Sequence, residues 1–334
     1  PPPPVPARFQ RSIALLTRRS PRPALRPWGR EVRARAKGAR VLLDPTFLAI
    51  QALNALQLGS LLFLLSVGLS VVFGLMNFIN LAHGTFYMVG AYLGLVAVRE
   101  TGSFWLALAL APLGVALVGA ALHVVLLRYM QRASPMRQVL VTFGLIYVGL
   151  DLVRMLWGNY SHGIEPPVAF AGSVRILGET YPAYRLLVIG IGVIVLVALA
   201  LVLERTRLGA VVRAGVDDRE TASAIGLNID LAFFGVFCLG CALAGLAGVV
   251  AAPVLSIHPG MDMSILVLTL IVVVVGGPGS LRGAVLGSLL VGFVETFGQV
   301  LTPAYASMLL YALMALVLIL RPGGLVPVRR VVRA

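Results

Sequence analysis

From about residue 47 onward the sequence is a succession of long apolar runs separated by short polar breaks. A helix of about 20 apolar residues crosses the hydrocarbon core of a bilayer, and helices and closed barrels are the structures that satisfy every backbone polar group there. Runs at 47–73, 84–98, 103–127, 138–157, 185–203, 231–252, 264–276, 284–300 and 304–320 predict an all-α polytopic membrane protein with eight or nine transmembrane helices. Two of these runs, 84–98 and 264–276, are short for a full crossing, and each adjoins a glycine-rich break. Interrupted segments are therefore part of the expected fold. Composition agrees: 12% of the residues are charged, against about 25% in a soluble globular domain. A soluble enzyme is excluded on that ground.

The formal charge of +14 is unevenly spread. Residues 1–40 hold eleven basic side chains against one acid, Glu31, together with eight of the 20 prolines. Such a segment cannot bury enough apolar surface to fold, so 1–45 is expected to be a disordered arm. It lacks the continuous apolar core of a secretory signal. Its opening on Pro rather than Met leaves an over-extended start or a fragment open, and binding to anionic lipid is the functional alternative. In the body (46–325), arginine alternates in sidedness. One set of loops collects Arg128, Arg132, Arg137, Arg205, Arg207, Arg213, Arg219, Arg282, Arg321, Arg329, Arg330 and Arg333, and the other set only Arg99, Arg175 and Arg185. Basic residues stay on the cytoplasmic side, which orients the 326–334 tail inward and the loops 158–184 and 253–263 outward. Nine crossings would put the arm outside, and a re-entrant segment near 74–84 would restore parity.

Two stretches break the apolar pattern. Gly74-Leu-Met-Asn-Phe-Ile-Asn-Leu-Ala-His-Gly84 places Asn77, Asn80 and His83 where hydropathy alone reads membrane. Polar side chains there must face protein or a cavity, so Asn77, Asn80, His83 and the adjacent Thr85 are candidates for lining a substrate pathway. Gly276-Gly277-Pro278-Gly279-Ser-Leu-Arg-Gly283 follows a run of β-branched residues and weakly echoes the first break. Paired interrupted spans in the two halves of a transporter point to its pathway. An ordinary tight turn, which Arg282 would suit, is the competing reading for the second stretch. His83 has no second His, Cys or acid at ligand spacing, so a metal site is not expected.

The loop 204–230 is built differently. Asp217 or Asp218 can cap a short helix, Ala222, Ala224 and Ile225 form a small apolar strip, and Gly226 supplies a stop. A short helix projecting from a membrane body suits a partner's groove, with a helix lying on the bilayer as the alternative. No catalytic residue is expected. The only lysine, Lys37, follows Ala36, so the Gly-Lys-Ser/Thr of a phosphate loop is missing. Asp151 and Arg154 can pair at i, i+3. Glu295 is the candidate for an unpaired intramembrane carboxylate, with helix packing preferred over a proton relay. Cys238 and Cys241 lie in an apolar helix with Gly235, Gly240, Ala244, Gly245 and Gly248, a composition suited to close helix packing rather than to redox or zinc chemistry. His123, His162 and His258 lie far apart with no nucleophile context.

Glu220-Thr-Ala-Ser-Ala-Ile-Gly226 resembles the E-A-A-x-x-x-G coupling motif of ATP-binding-cassette importer permeases, departing at Thr221. More specifically, residues 50–325 resemble the branched-chain amino-acid permeases of the LivH type. The likeness rests on Phe73–Tyr92, Thr206–Ala214, Asp218-Arg-Glu-Thr-Ala222 and Gly276–Ala284. The resemblance implies an importer subunit of the bacterial inner membrane, working by alternating access. Its implied partners are a second related permease, two cytoplasmic ATPases that bind ATP and Mg, and a periplasmic amino-acid-binding protein. Neither a cofactor in this chain nor a nucleic-acid partner is implied. By position, Arg213, Asp218, Glu220, Ala222 and Gly226 would form the coupling element, beside Asp217. Urea and short-amide permeases share much of the pattern and remain an alternative, as does, at a greater distance, an ion-coupled secondary transporter.

Overall fold

The computed structural model describes residues 44–76, 78, 80–130 and 133–326, with the side chains of residues 75, 76, 216, 217 and 219 outside the description. The arm at 1–43 and the tail at 327–334 thus lie outside the described residues. The helices are α1 (Pro45–Met76), α2 (His83–Thr101), α3 (Phe104–Met130), α4 (Pro135–Trp157) and α5 (Ala183–Arg205). Two short helices follow, α6 (Arg207–Asp217) and α7 (Arg219–Ala224), and then α8 (Ile229–Ala251), α9 (Met261–Gly276), α10 (Leu281–Leu301) and α11 (Ala306–Leu320). Among the described residues, seven helical segments are long and apolar enough to cross a membrane, and α9 is a shorter apolar helix. The chain is a multi-pass membrane protein.

Local chemistry sets most helix starts. Ser103, Thr206, Asp218, Asn228 and Ser280 each accept a hydrogen bond from the backbone N–H three residues on, which satisfies one of the donors left free in a first turn. At the end of α9 the following chain does the same for acceptors. Leu325 and Val326 donate their N–H groups to the carbonyls of Val275 and Gly276 at 2.9 and 3.1 Å.

Helix α8 forms the centre, and glycine lets its neighbours reach it. A Cβ on Gly248 would stand 2.2 Å from the Tyr87 carbonyl oxygen, one on Gly90 2.4 Å from the Gly245 Cα, and one on Gly68 2.8 Å from the Gly240 oxygen. On α3, Gly119 leaves room for Cys241, whose Sγ would be 2.5 Å from an added Cβ. Both cysteines are free thiols, so the expected small-residue packing is what Cys241 does. Gly235, by contrast, has open space where a Cβ would stand. Helix α1 joins this group to a second one. Its Gly59 approaches Ser288 and Leu289 of α10, while Leu62 packs with Ile271, Val272, Val275 and Val291. Helices α4, α5 and α11 present large exposed apolar side chains, such as Met155, Ile194 and Ile319, on the outer surface, as lipid contact requires.

The two ends of the bundle differ. At one end Arg99 donates to His162 at 3.3 Å, and His162 pairs through its backbone with Ile257. That end also carries a hairpin not anticipated within the 158–184 loop, β1 (Ser173–Ile176) with β2 (Glu179–Pro182). Its two-residue turn holds Leu177 and Gly178 at positive φ, 53° and 88°, the backbone hand that matches strand twist in tight hairpins. The opposite end holds Arg128, Arg137, Arg205, Arg207, Arg213, Arg282 and Arg321.

Inserting a methyl group into a backbone-to-backbone contact costs about 1–3 kcal/mol. Gly90→Ala therefore lowers the thermal unfolding midpoint of the detergent-purified protein measurably, whereas Gly235→Ala, where space is open, leaves it unchanged. Equal midpoints for the two variants would contradict the packing described.

Candidate functional site

The first break turns the chain back alongside α1. Asn80 accepts the Ala82 N–H through Oδ1 at 3.1 Å, and its own carbonyl accepts from the His83 N–H at 3.4 Å. Helix α2 then starts at His83, whose Nε2 donates to the Leu65 carbonyl at 3.0 Å. Leu65 lies three turns before the end of α1, so α2 begins inside the bundle rather than at its end. Asn80 and His83 are both buried. Thr85 follows one residue after Gly84, its methyl group filling the space where Gly149 of α4 has no side chain. Three of the four expected pathway residues, Asn80, His83 and Thr85, therefore stand together at an interrupted span. Asn77 lies outside the described residues.

The second stretch behaves differently. Gly276 and Gly283 pack backbone to backbone, with an added Cβ on Gly276 only 2.2 Å from the Gly283 carbonyl oxygen. Gly277 and Gly279 take positive φ of 101° and 80°, and Ser280 caps α10. Residues 276–283, Pro278 included, are a tight turn from the end of α9 to the start of α10. The expected echo is corrected accordingly, yet the two stretches do meet. The Gly279 N–H donates to Ser70 Oγ at 3.1 Å, and a Cβ on Gly74 would fall 2.2 Å from the Gly279 Cα. Between them lies a cavity of about 270 Å3, its wall made by Phe73, Asn80, Leu270, Val274 and Pro278 among others. The wall is apolar apart from Asn80.

The partner of the first interruption is the segment 252–260. It leads from the end of α8 back into the bundle, so that α9 starts beside the start of α2. Thr85 Oγ1 donates to Asp262 Oδ2 at 3.3 Å, and a Cβ on Gly84 would stand 2.7 Å from the Asp262 carbonyl oxygen. Two helix N-termini thus converge around one carboxylate. Asp262 was read as part of an outer loop, and it is 1% exposed. The signal that locates it is an acid opening an apolar run too short to cross. Glu295, the expected lone carboxylate, is half-buried on α10 and accepts from Gln299 through Oε1 at 2.6 Å. Asp151 and Arg154 do pair, at 3.4 Å, with both side chains exposed. Among the described residues, no three His, Cys, Asp or Glu side chains gather as metal ligands.

At the basic end, the 204–230 loop forms two helices. Thr206 caps α6, and Arg213 donates to the Leu203 carbonyl, tying α6 to the last turn of α5. Asp218 is the cap of α7: Oδ1 accepts the Thr221 N–H at 2.9 Å and Oδ2 the Thr221 hydroxyl at 2.6 Å. Asp217 is instead the last residue of α6, its side chain outside the description. Gly226 takes φ +91°, and Leu227 returns its N–H to the Ala222 carbonyl at 3.1 Å, a left-handed helix stop. The apolar strip is divided. Ala222 is buried in the body, while Ala224 and Ile225 face outward, Ile225 at 72% exposure. Glu220 is exposed beside them.

Comparison with known proteins extends this picture. The family described as branched-chain amino acid transport system, permease component, matches residues 51–318. The chain is 27% identical to the high-affinity branched-chain amino acid transport system permease protein BraD of Pseudomonas aeruginosa, over 82% of this chain and 94% of that protein. It is 26% identical to LivH of Escherichia coli K12 over the same shares, and 28% identical to LivM of Salmonella typhimurium over 80% of this chain and 68% of that protein. No solved structure matches. With the match running from α1 to α11, the chain belongs to the permease component family of branched-chain amino acid transport systems.

Proposed function

We propose that this chain is a membrane-spanning subunit of an ATP-driven importer of branched-chain amino acids. The observation that supports it best is the joint placement of two features. An interrupted span holds Asn80, His83 and Thr85 inside the bundle, and a capped helix pair projects at the basic end with Glu220 and Ile225 exposed. The first suits a guarded route for a small zwitterion. The second suits attachment of an engine that the chain lacks, since its lone lysine cannot build a phosphate loop. In this reading the basic end and the C-terminus are cytoplasmic, and the hairpin end receives substrate from a binding protein. A second related permease completes the membrane portion, in keeping with the likeness to both LivH and LivM. ATP and Mg are bound by two partner ATPases, and this chain contributes no catalytic residue.

The coupling step follows from how α7 is held. Asp218 and Gly226 fix its two ends, and the buried Ala222 seats it against the body. Displacement of α7 by an ATPase is therefore passed through α6 and the Arg213 contact to α5, and through Gly215, packed on Ile229 and Phe233, to α8. Because α8 is the element on which α1, α2 and α3 meet, a shift there alters the junction around Asn80 and Asp262. That is the alternating-access step expected of this architecture.

Three outcomes test the reading. Asn80→Ala removes a buried hydrogen bond that shapes the break, worth about 1–3 kcal/mol, and lowers leucine uptake by about a factor of ten without loss of the partner subunits in co-purification. Leucine, and not urea or acetamide, competes for that uptake; competition by the amides would move the chain to a short-amide importer. Glu220→Arg combined with Gly226→Trp releases the ATPase from the co-purified complex while the membrane subunits stay paired. Retention of the ATPase would remove α7 as its attachment point.

A further inference from the structure

In the reading above Asp262 only marks the junction, and its surroundings define a role for it. Its carboxylate is buried at the start of α9, Oδ2 is held by the Thr85 hydroxyl at 3.3 Å, and Oδ1 has no hydrogen-bond partner. A buried carboxylate with an unused oxygen is unfavourable unless something completes it. Here the N-termini of α2 and α9 meet at the same point, with Gly84 packed on the Asp262 backbone. The carboxylate is thus oriented through one oxygen, and its other oxygen is enclosed without a partner.

The walls around it say what kind of cation fits. Asp262, Leu266 and Leu270 follow one another at four-residue spacing, along the face of α9 that leads to the cavity beside Asn80 and Pro278. Leu266 packs with Ala82 and Ile146 and stands one turn from Asp262 and one turn from Leu270, which lines the cavity. A hard metal cation takes about six to eight oxygen ligands, and here only the carboxylate and one hydroxyl converge. An ammonium group attached to an aliphatic chain fits both parts: the charge on Oδ1, the chain along the leucines.

We propose that Asp262, positioned by Thr85, is the point that holds the ammonium group of an apolar amino acid during passage, with Leu266 as the plug between this point and the cavity. The inference rests on the importer reading and names the chemistry of its transit site.

The test is leucine uptake in proteoliposomes by the complete complex carrying Asp262→Asn, Asp262→Glu or Thr85→Val, with subunit assembly measured in parallel. Asn has the shape of the protonated acid but cannot hold ammonium, and losing one partner of a buried charge pair predicts a fall in uptake of at least about tenfold. Assembly is retained, and Asp262→Glu recovers part of the loss. Thr85→Val lowers uptake less. Wild-type uptake in Asp262→Asn would overturn the proposal, because a neutral group or a bound proton would then suffice. Loss of assembly in both Asp262→Asn and Thr85→Val would also overturn it, marking the pair as packing. A wild-type complex that takes up no amino acid would remove the importer reading itself, whereas wild-type uptake alongside an unimpaired Asp262→Asn removes this inference alone.

Discussion

At Gly90 and Gly245 two helix backbones meet with no side chain between them, and the same is true where Gly248 meets Tyr87 and Ala91. Lipid tails are as apolar as leucine, so helices in a bilayer gain little by hiding apolar surface from one another. They associate through close van der Waals contact, which small residues permit. Glycine along α8 supplies that contact to α1, α2 and α3 at once. Because α2 is held this way along its length, its start can be left inside the bundle, unwound from α1. The position of the break depends on this packing.

The break in turn determines where polar groups can sit. Asn80, His83 and Thr85 are affordable in an apolar interior only because each has a named partner: the Ala82 N–H, the Leu65 carbonyl and the Asp262 carboxylate. The His83 bond also fixes how far back the chain returns along α1. Gly68 leaves the space for that ring, an added Cβ there lying 3.2 Å from His83 Cε1. Residues 252–260 bring α9 to the same depth from the other side. The result is a pair of helix starts facing one carboxylate, with an apolar cavity about two turns along α9, and the α6–α7 pair connected through α8 to the same junction.

Much of this was legible in the sequence because it depends on local patterns. Apolar length placed α3, α5 and α8 within a few residues, and Asp218 and Gly226 marked α7 through capping chemistry that needs no tertiary information. The polar residues at 80, 83 and 85 stood out against their apolar surroundings. What failed depended on the path of the chain in space. Glycines at 276–283 have the same local chemistry in a turn as in a broken span, and only packing against Ser70 and Gly74 decides between them. Asp262 follows Pro259 and Gly260, which read as loop, and its depth is set by the route of the preceding segment. The Leu177–Gly178 turn hides because leucine seldom takes a positive φ. The split of the Ala222–Ile225 strip reflects the seat that α8 and α6 provide, which hydropathy along one segment does not contain.

In the proposed function the junction around Asn80 lies on the transport route and changes with the ATP-driven cycle. The most direct measurement is the rate at which a thiol reagent modifies Asn80→Cys in an assembled complex whose Cys238 and Cys241 are replaced by alanine, with and without ATP. The expected result is that ATP changes the modification rate, that leucine-loaded binding protein alters it further, and that modification blocks uptake. A rate indifferent to ATP, together with full uptake after complete modification, would contradict it.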